Sequence, residues 1–93
     1  MISNKTDSSI KRLLLKTARY IGHSSHKYFS FLCDNNSLSP IELEILERII
    51  TMGLYSDEVI ECACSTALDR NIKNVVDFNF LVDKVNNSIL NAE

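Results

Sequence analysis

Apolar residues along this chain recur at intervals of three and four, the period of one helix face, and its β-branched residues follow that period rather than the alternation of a strand. With two glycines and one proline in 93 residues, little interrupts the pattern and little room is left for long loops. The expectation is an all-α fold: a small bundle of about five helices, forming a single domain over residues 1–93. A chain this short buries only a modest share of its surface. That favours a module that gains stability from a partner or from a homo-oligomer.

The first helix is expected from Ser8 to Ile21, with Ile10, Leu13, Leu14, Ala18 and Ile21 on one face, Asp7 or Ser8 as its cap and Gly22 as its end. His23-Ser24-Ser25-His26 reads as a short connection. A second, shorter helix then carries Tyr28, Phe29, Phe31 and Leu32 into the core and closes at the polar turn Asp34-Asn35-Asn36-Ser37. Leu38-Ser39-Pro40-Ile41-Glu42-Leu43 is the clearest local signal in the chain. Ser39 and Glu42 can cap each other's amides, Pro40 suits the first helical position where no amide partner is needed, and Leu38 can pack onto Leu43.

The third helix that follows would present Ile41, Ile45, Ile49 and Met52, with Leu46 and Ile50, as a wide apolar face, and Gly53 suits a left-handed cap after it. Ser56-Asp57-Glu58 opens a fourth helix running to about Arg70, with Val59, Ala63 and Ala67 on one stripe and Ile60, Cys64 and Leu68 beside it. The small Ala and Cys side chains there would let a neighbouring helix come close. Asn71-Ile72-Lys73 is a link, and Asn74 with Asp77 can cap a fifth helix carrying Val75, Phe78, Val82, Val85 and Ile89.

The net charge of −2 conceals an asymmetry: residues 1–37 carry +4 and residues 38–93 carry −6. The two halves should attract each other or serve different partners. A domain that holds nucleic acid by bulk charge is excluded. The polar start of the chain lacks the apolar core of a secretory signal and no later run is long enough to span a bilayer, so a cytoplasmic protein without membrane contact is expected. Cys33, Cys62 and Cys64 are odd in number, and residues two apart on a helix face different ways, which points to reduced thiols rather than a disulfide scaffold.

Few residues suggest chemistry. His23 and His26 with the three cysteines lack the paired spacing of a zinc site. No glycine-rich turn offers an oxyanion hole or a phosphate cradle, so neither an enzyme nor a cofactor is expected. The acidic residues Glu42, Glu44, Glu47, Glu58 and Glu61 are accounted for by caps and solvated faces. A basic stripe is more informative. Lys11, Arg12, Lys16 and Arg19 fall within an arc of ~140° on the outer side of the first helix, which is either a solvated face or one suited to phosphates, an anionic membrane or an acidic patch on a protein. No aromatic is interleaved among these residues, so no stacking platform for a single strand is expected on that face.

From Leu38 to about Asn86 the chain resembles the C-terminal module of the DnaD family, the helicase-loading and primosome proteins of bacterial replication and of related phage and plasmid elements. The residues that carry the resemblance are Leu38-Ser39-Pro40-Ile41-Glu42, Gly53, Ser56-Asp57-Glu58-Val59-Ile60, Ala63, Ala67-Leu68 and Lys73-Asn74, with Tyr28-Phe29-Ser30-Phe31-Leu32 as the short aromatic helix leading in. The resemblance divides the chain into a basic and aromatic part, 8–37, and a DnaD-like three-helix part, 38–90. It implies a non-enzymatic role in DNA replication initiation, with DNA, a replicative helicase or its loader as partner.

The family's signature of Tyr, Ile and Trp at four-residue intervals on the last helix would fall on Phe78, Val82 and Asn86, so the Trp is replaced here. Lys73 and Lys84 would add cationic contacts near that helix, opposed by Asp77 and Asp83. A second resemblance is to the ubiquitin-associated three-helix domain, through Met52-Gly53-Leu54 and Asn71-Ile72-Lys73-Asn74-Val75-Val76-Asp77-Phe78, with an interval about two residues longer than in that family. It implies a protein-docking module, or a small phage-type inhibitor or adaptor, without DNA binding.

Overall fold

The structure, a computed structural model, describes residues 7–35 and 38–91. They form five helices, α1 (Asp7–Ile21), α2 (His23–Asn35), α3 (Pro40–Thr51), α4 (Asp57–Arg70) and α5 (Val75–Asn91), with no strand among the described residues. This is the small all-α bundle that the apolar spacing leads one to expect. α1 packs on α2 and α3, α4 lies against α2 and α5, and α3 also meets α5, so both parts of the chain contribute to one core.

Local caps set most of the helix boundaries. Ser39 has an extended backbone and its Oγ accepts from the Glu42 amide at 3.2 Å, while Glu42 Oε1 accepts from the Ser39 amide at 2.8 Å. Pro40 opens the helix, Leu38 and Leu43 are both buried, and Gly53 takes a left-handed φ of 70° just beyond α3. Ser56 Oγ accepts from the Val59 amide at 3.3 Å to start α4, which ends on a left-handed Asn71 (φ 57°). The Ile72 amide there returns to the Ala67 carbonyl at 3.0 Å. Asn74 Oδ1 accepts from the amides of Val76 (2.8 Å) and Asp77 (3.3 Å) and so starts α5, with Asp77 contributing its backbone rather than its side chain. α1 begins at Asp7, the side chains of Asp7 and Ser8 that would cap it are outside what is described, and the Asn36-Ser37 turn lies outside the described residues.

Two expectations need correction. His23-Ser24-Ser25-His26 is not a connection but the first turn of α2, and Gly22 alone separates it from α1. The reason is tertiary. Glu61 of α4 accepts from the Ser24 amide (Oε2, 2.9 Å), the Ser25 amide (Oε1, 2.9 Å) and the Ser25 hydroxyl (Oε1, 2.8 Å), supplying the cap that the local sequence lacks. The buried face of α3 is Leu43, Leu46, Ile49 and Ile50; Ile45 is half-buried, and Ile41 (69% exposed) and Met52 (64%) face outward. The helix turns about 100° per residue, so an inward Leu43–Leu46–Ile50 row leaves the ends of the Ile41–Met52 row outside.

The core centres on an aromatic group. Tyr28 and Phe78 rings lie 4.8 Å apart, Phe29 meets Phe78 edge-on at 5.9 Å, and all three side chains are fully buried. Tyr28 Oη, which would be orphaned there, donates to the Ile72 carbonyl at 2.7 Å and ties α2 to the turn before α5. Ala63, Cys64 and Ala67 are fully buried on the stripe of α4 that their small size suits to close approach. Among the described residues, no helix is long and apolar enough to cross a membrane.

Candidate interaction surfaces

α1 buries Leu14 and Ala18, with Ile10, Leu15 and Ile21 packed at the margin, and this pins its opposite side to solvent. Arg12, Lys16 and Arg19 are exposed there and Lys11 is half-buried at the edge of the arc. Lys11 reaches the end of α2 closely enough for its charge to lower the Cys33 thiol pKa, against the larger upward push of burial, so that the thiol stays above its usual range. The single ion pair among the described residues is Glu44–Arg48 at 3.5 Å, on α3. The four cations of α1 therefore have no carboxylate partner among those residues and are available to an external anion.

The sequence reading missed one member of this surface. Tyr20, in the last turn of α1, is 83% exposed and lines an open concavity of about 470 Å³ with Lys16 and Arg19. It follows Lys16 by four residues and Leu13, itself partly exposed, by seven, so all three share one side of the helix. The signal was present in the spacing. An inventory of charges alone passes over an aromatic that lies beside the basic row instead of within it.

The residues suggested near α5 do not join that surface. Phe78 and Val82 are fully buried in the core, so they offer no contact to DNA or to a protein, and the apolar spacing that places them inside overrides the role implied by the family signature. Asn86 is half-buried. Lys73 is exposed in the link before α5. Lys84 is exposed beside a separate groove of about 280 Å³ between α4 and α5, where Arg70 and Lys84 flank a lining of Leu81, Val85 and Ile89. The nine suggested residues thus divide into a coherent basic group on α1, two buried core residues and a scattered set around α5.

Further exposed apolar side chains lie elsewhere. Met52 and Leu54 project from the turn between α3 and α4, and Val76 and Phe80 (70% exposed) project one turn apart on α5. Tyr55, half-buried in the same turn, feels the charge of Asp83 on α5; burial and that charge both raise its phenol pKa.

The polar groups inside the bundle are structural. Ser25, Glu61 and Cys64 meet behind the first turn of α2, with Ser25 and Cys64 fully buried. Burial pushes the Cys64 thiol up to about 12, with the Glu61 charge adding to the shift and the side-chain hydrogen bond between Cys64 and Ser25 opposing it, so the sulfur stays protonated and poorly nucleophilic. Cys33 and Cys62, like Cys64, are free thiols. Among the described residues no group of three or more His, Cys, Asp or Glu is placed to hold a metal ion. No family model matches the chain, and no characterised protein or solved structure matches it significantly.

Proposed function

We propose that this chain is a non-enzymatic binding module of the DnaD type, acting in DNA replication initiation by holding DNA along the basic face of α1 and a replicative helicase or its loader elsewhere on its surface. The observation that carries the reading is the set Lys11, Arg12, Lys16 and Arg19, gathered on one side of α1 with no carboxylate partner among the described residues. Phosphates are the polyanion such a row suits, because each neutralised phosphate releases condensed counterions. The α3–α5 unit adds support. Its capping box at Ser39, left-handed Gly53, serine cap at Ser56 and buried Ala63 and Ala67 are the features on which the DnaD resemblance rests.

Binding through such a row is sequence-independent and falls steeply with salt. The test is a salt series of DNA titrations on the whole chain. Replacing Lys16 and Arg19 with Gln is expected to lower affinity and flatten the dependence of log K on log salt by about one to two units. Absence of any complex with single- or double-stranded DNA at low salt removes this reading.

A second reading then takes its place: a protein-docking module of ubiquitin-associated type, or a small phage-type inhibitor or adaptor, without DNA binding. The exposure of Met52, Leu54, Val76 and Phe80 favours it, since apolar side chains of this size left in water are what a docking partner covers.

A further inference from the structure

We infer that the basic face of α1 is built for an unpaired DNA strand rather than a duplex, with Tyr20 as the platform on which a base stacks while Lys16 and Arg19 hold the flanking phosphates. The inference rests on the DNA-binding reading above and deepens it. Its starting point is the exposure, 83%, of Tyr20, the one aromatic side chain of α1. Nothing in the bundle uses this ring: it forms no aromatic pair or hydrogen bond among the described residues, in contrast to Tyr28, which does both.

The surroundings of Tyr20 fit the purpose. It opens onto the concavity of about 470 Å³ that it shares with Lys16 and Arg19, and at 1.5 Å of rise per residue the three side chains leave the helix within about 6 Å of one another along its axis. Arg12 continues the cationic row and Leu13 the apolar one, so a charged edge and an apolar edge run side by side.

A duplex presents phosphates to such a row but keeps its base faces stacked inside, and Tyr20 would meet only the sugar-phosphate edge. In an unpaired strand the faces of the bases are available, and a ring flanked by two cations can hold a base and its phosphates together. Stacking of this kind tolerates any base, which suits a site whose other contacts are to phosphate.

The experiment is a fluorescence-anisotropy titration of the full chain at low salt, with a labelled oligothymidylate and with a duplex of equal length. The wild-type chain, Tyr20→Ala, Tyr20→Phe and the Lys16→Gln/Arg19→Gln double variant are compared after circular dichroism has shown equal helicity. The expected result is tighter binding of the single strand by wild type, a loss of roughly tenfold for Tyr20→Ala on the single strand with less than twofold change on the duplex, and retention in Tyr20→Phe. Equal loss on both DNAs, or no loss on the single strand, overturns the stacking role while leaving the phosphate row in place. Preference of wild type for the duplex overturns it as well. Failure of both DNAs to bind wild type removes the DNA-binding reading and this inference together, and loss of binding only in the Gln double variant retains the former and rejects the latter.

Discussion

The starts of α2 and α3 solve the same problem with different reach. Each has amides in its first turn without helical partners. At α3 the acceptors come from Ser39 and Glu42, within four residues of each other; at α2 the acceptor is Glu61, more than thirty residues further along the chain. The α3 start can form as a local event. The α2 start requires α4 to be in place, so its energy belongs to the tertiary fold. The first cap is therefore written in adjacent residues, whereas the second exists only once two helices have met.

The strongest way to break the contrast is Glu61→Ala. It removes the acceptor of two amides and leaves the fully buried Ser25 hydroxyl without the partner to which it donates. Loss of a cap together with an orphaned buried hydroxyl should cost about 2–4 kcal/mol, read as a lower midpoint in urea or thermal unfolding. An unchanged midpoint would mean that α2 starts on its own propensity and that the Glu61 contacts contribute nothing.

Gly22 sharpens the same point, because a Cβ there would overlap the Glu61 carboxylate. The carboxylate is the far end of a flexible side chain, so Gly22→Ala should displace it rather than shift the backbone, at a cost of about 2 kcal/mol from the lost bonds. The cost should disappear when Glu61 is already Ala, since the substitution then only restricts the unfolded chain, which is neutral or mildly stabilising. A double-mutant cycle measures this directly. Additive effects would show that the two residues do not share one interaction.

Acid provides a smaller perturbation of the same site. Burial raises the Glu61 pKa, but the amides of Ser24 and Ser25 and the serine hydroxyls outweigh it and hold the carboxyl below its ordinary 4.5. A carboxyl depressed on folding contributes stability that is complete above the unfolded value and is lost as pH falls through the lower folded one. The stability difference between wild type and Glu61→Gln should therefore be constant from neutral pH down to about 5 and shrink below 4.5. A difference that stays level through that acid range would remove the charge from the account of the cap.

The same distinction decides what could be read from the sequence. Helix number, the Ser39 and Ser56 starts, the left-handed turn at Gly53 and the buried stripe of α4 all follow from residues at most a few positions apart, and the structure contains each of them. The first turn of α2 was hidden because His23-Ser24-Ser25-His26 carries no cap of its own and resembles a loop in composition. The inward face of α3 was hidden for a related reason: Ile41 and Ile45 share a row as good as that of Leu43 and Leu46, and only the position of the neighbouring helices chooses between them. Of the candidate surface, the charges of α1 were legible and Tyr20 was not, since it lies beside the basic row rather than within it and only the packing of α1 shows its ring left in solvent.

The smallest effect should come from the α3 start, because its cap acts on a segment already held by burial. Ser39→Ala removes the acceptor for the Glu42 amide, a bond of 3.2 Å in an exposed position, and leaves the Glu42 carboxylate still able to accept from the residue 39 amide. Half of the reciprocal pair survives, so the cost should be about 1 kcal/mol. Unlike the loss of Glu61, it should not propagate. Amide hydrogen exchange should lose protection in the first turn of α3 alone, while Ser24 and Ser25 keep theirs, because no atom of the α3 cap is shared with the α2–α4 contact. Glu61→Ala should lower protection in the first turn of α2 and leave the α3 start as it was. If Ser39→Ala instead destabilises the α2 start as much as Glu61→Ala does, the two caps belong to one cooperative unit and the separation of local from tertiary capping fails.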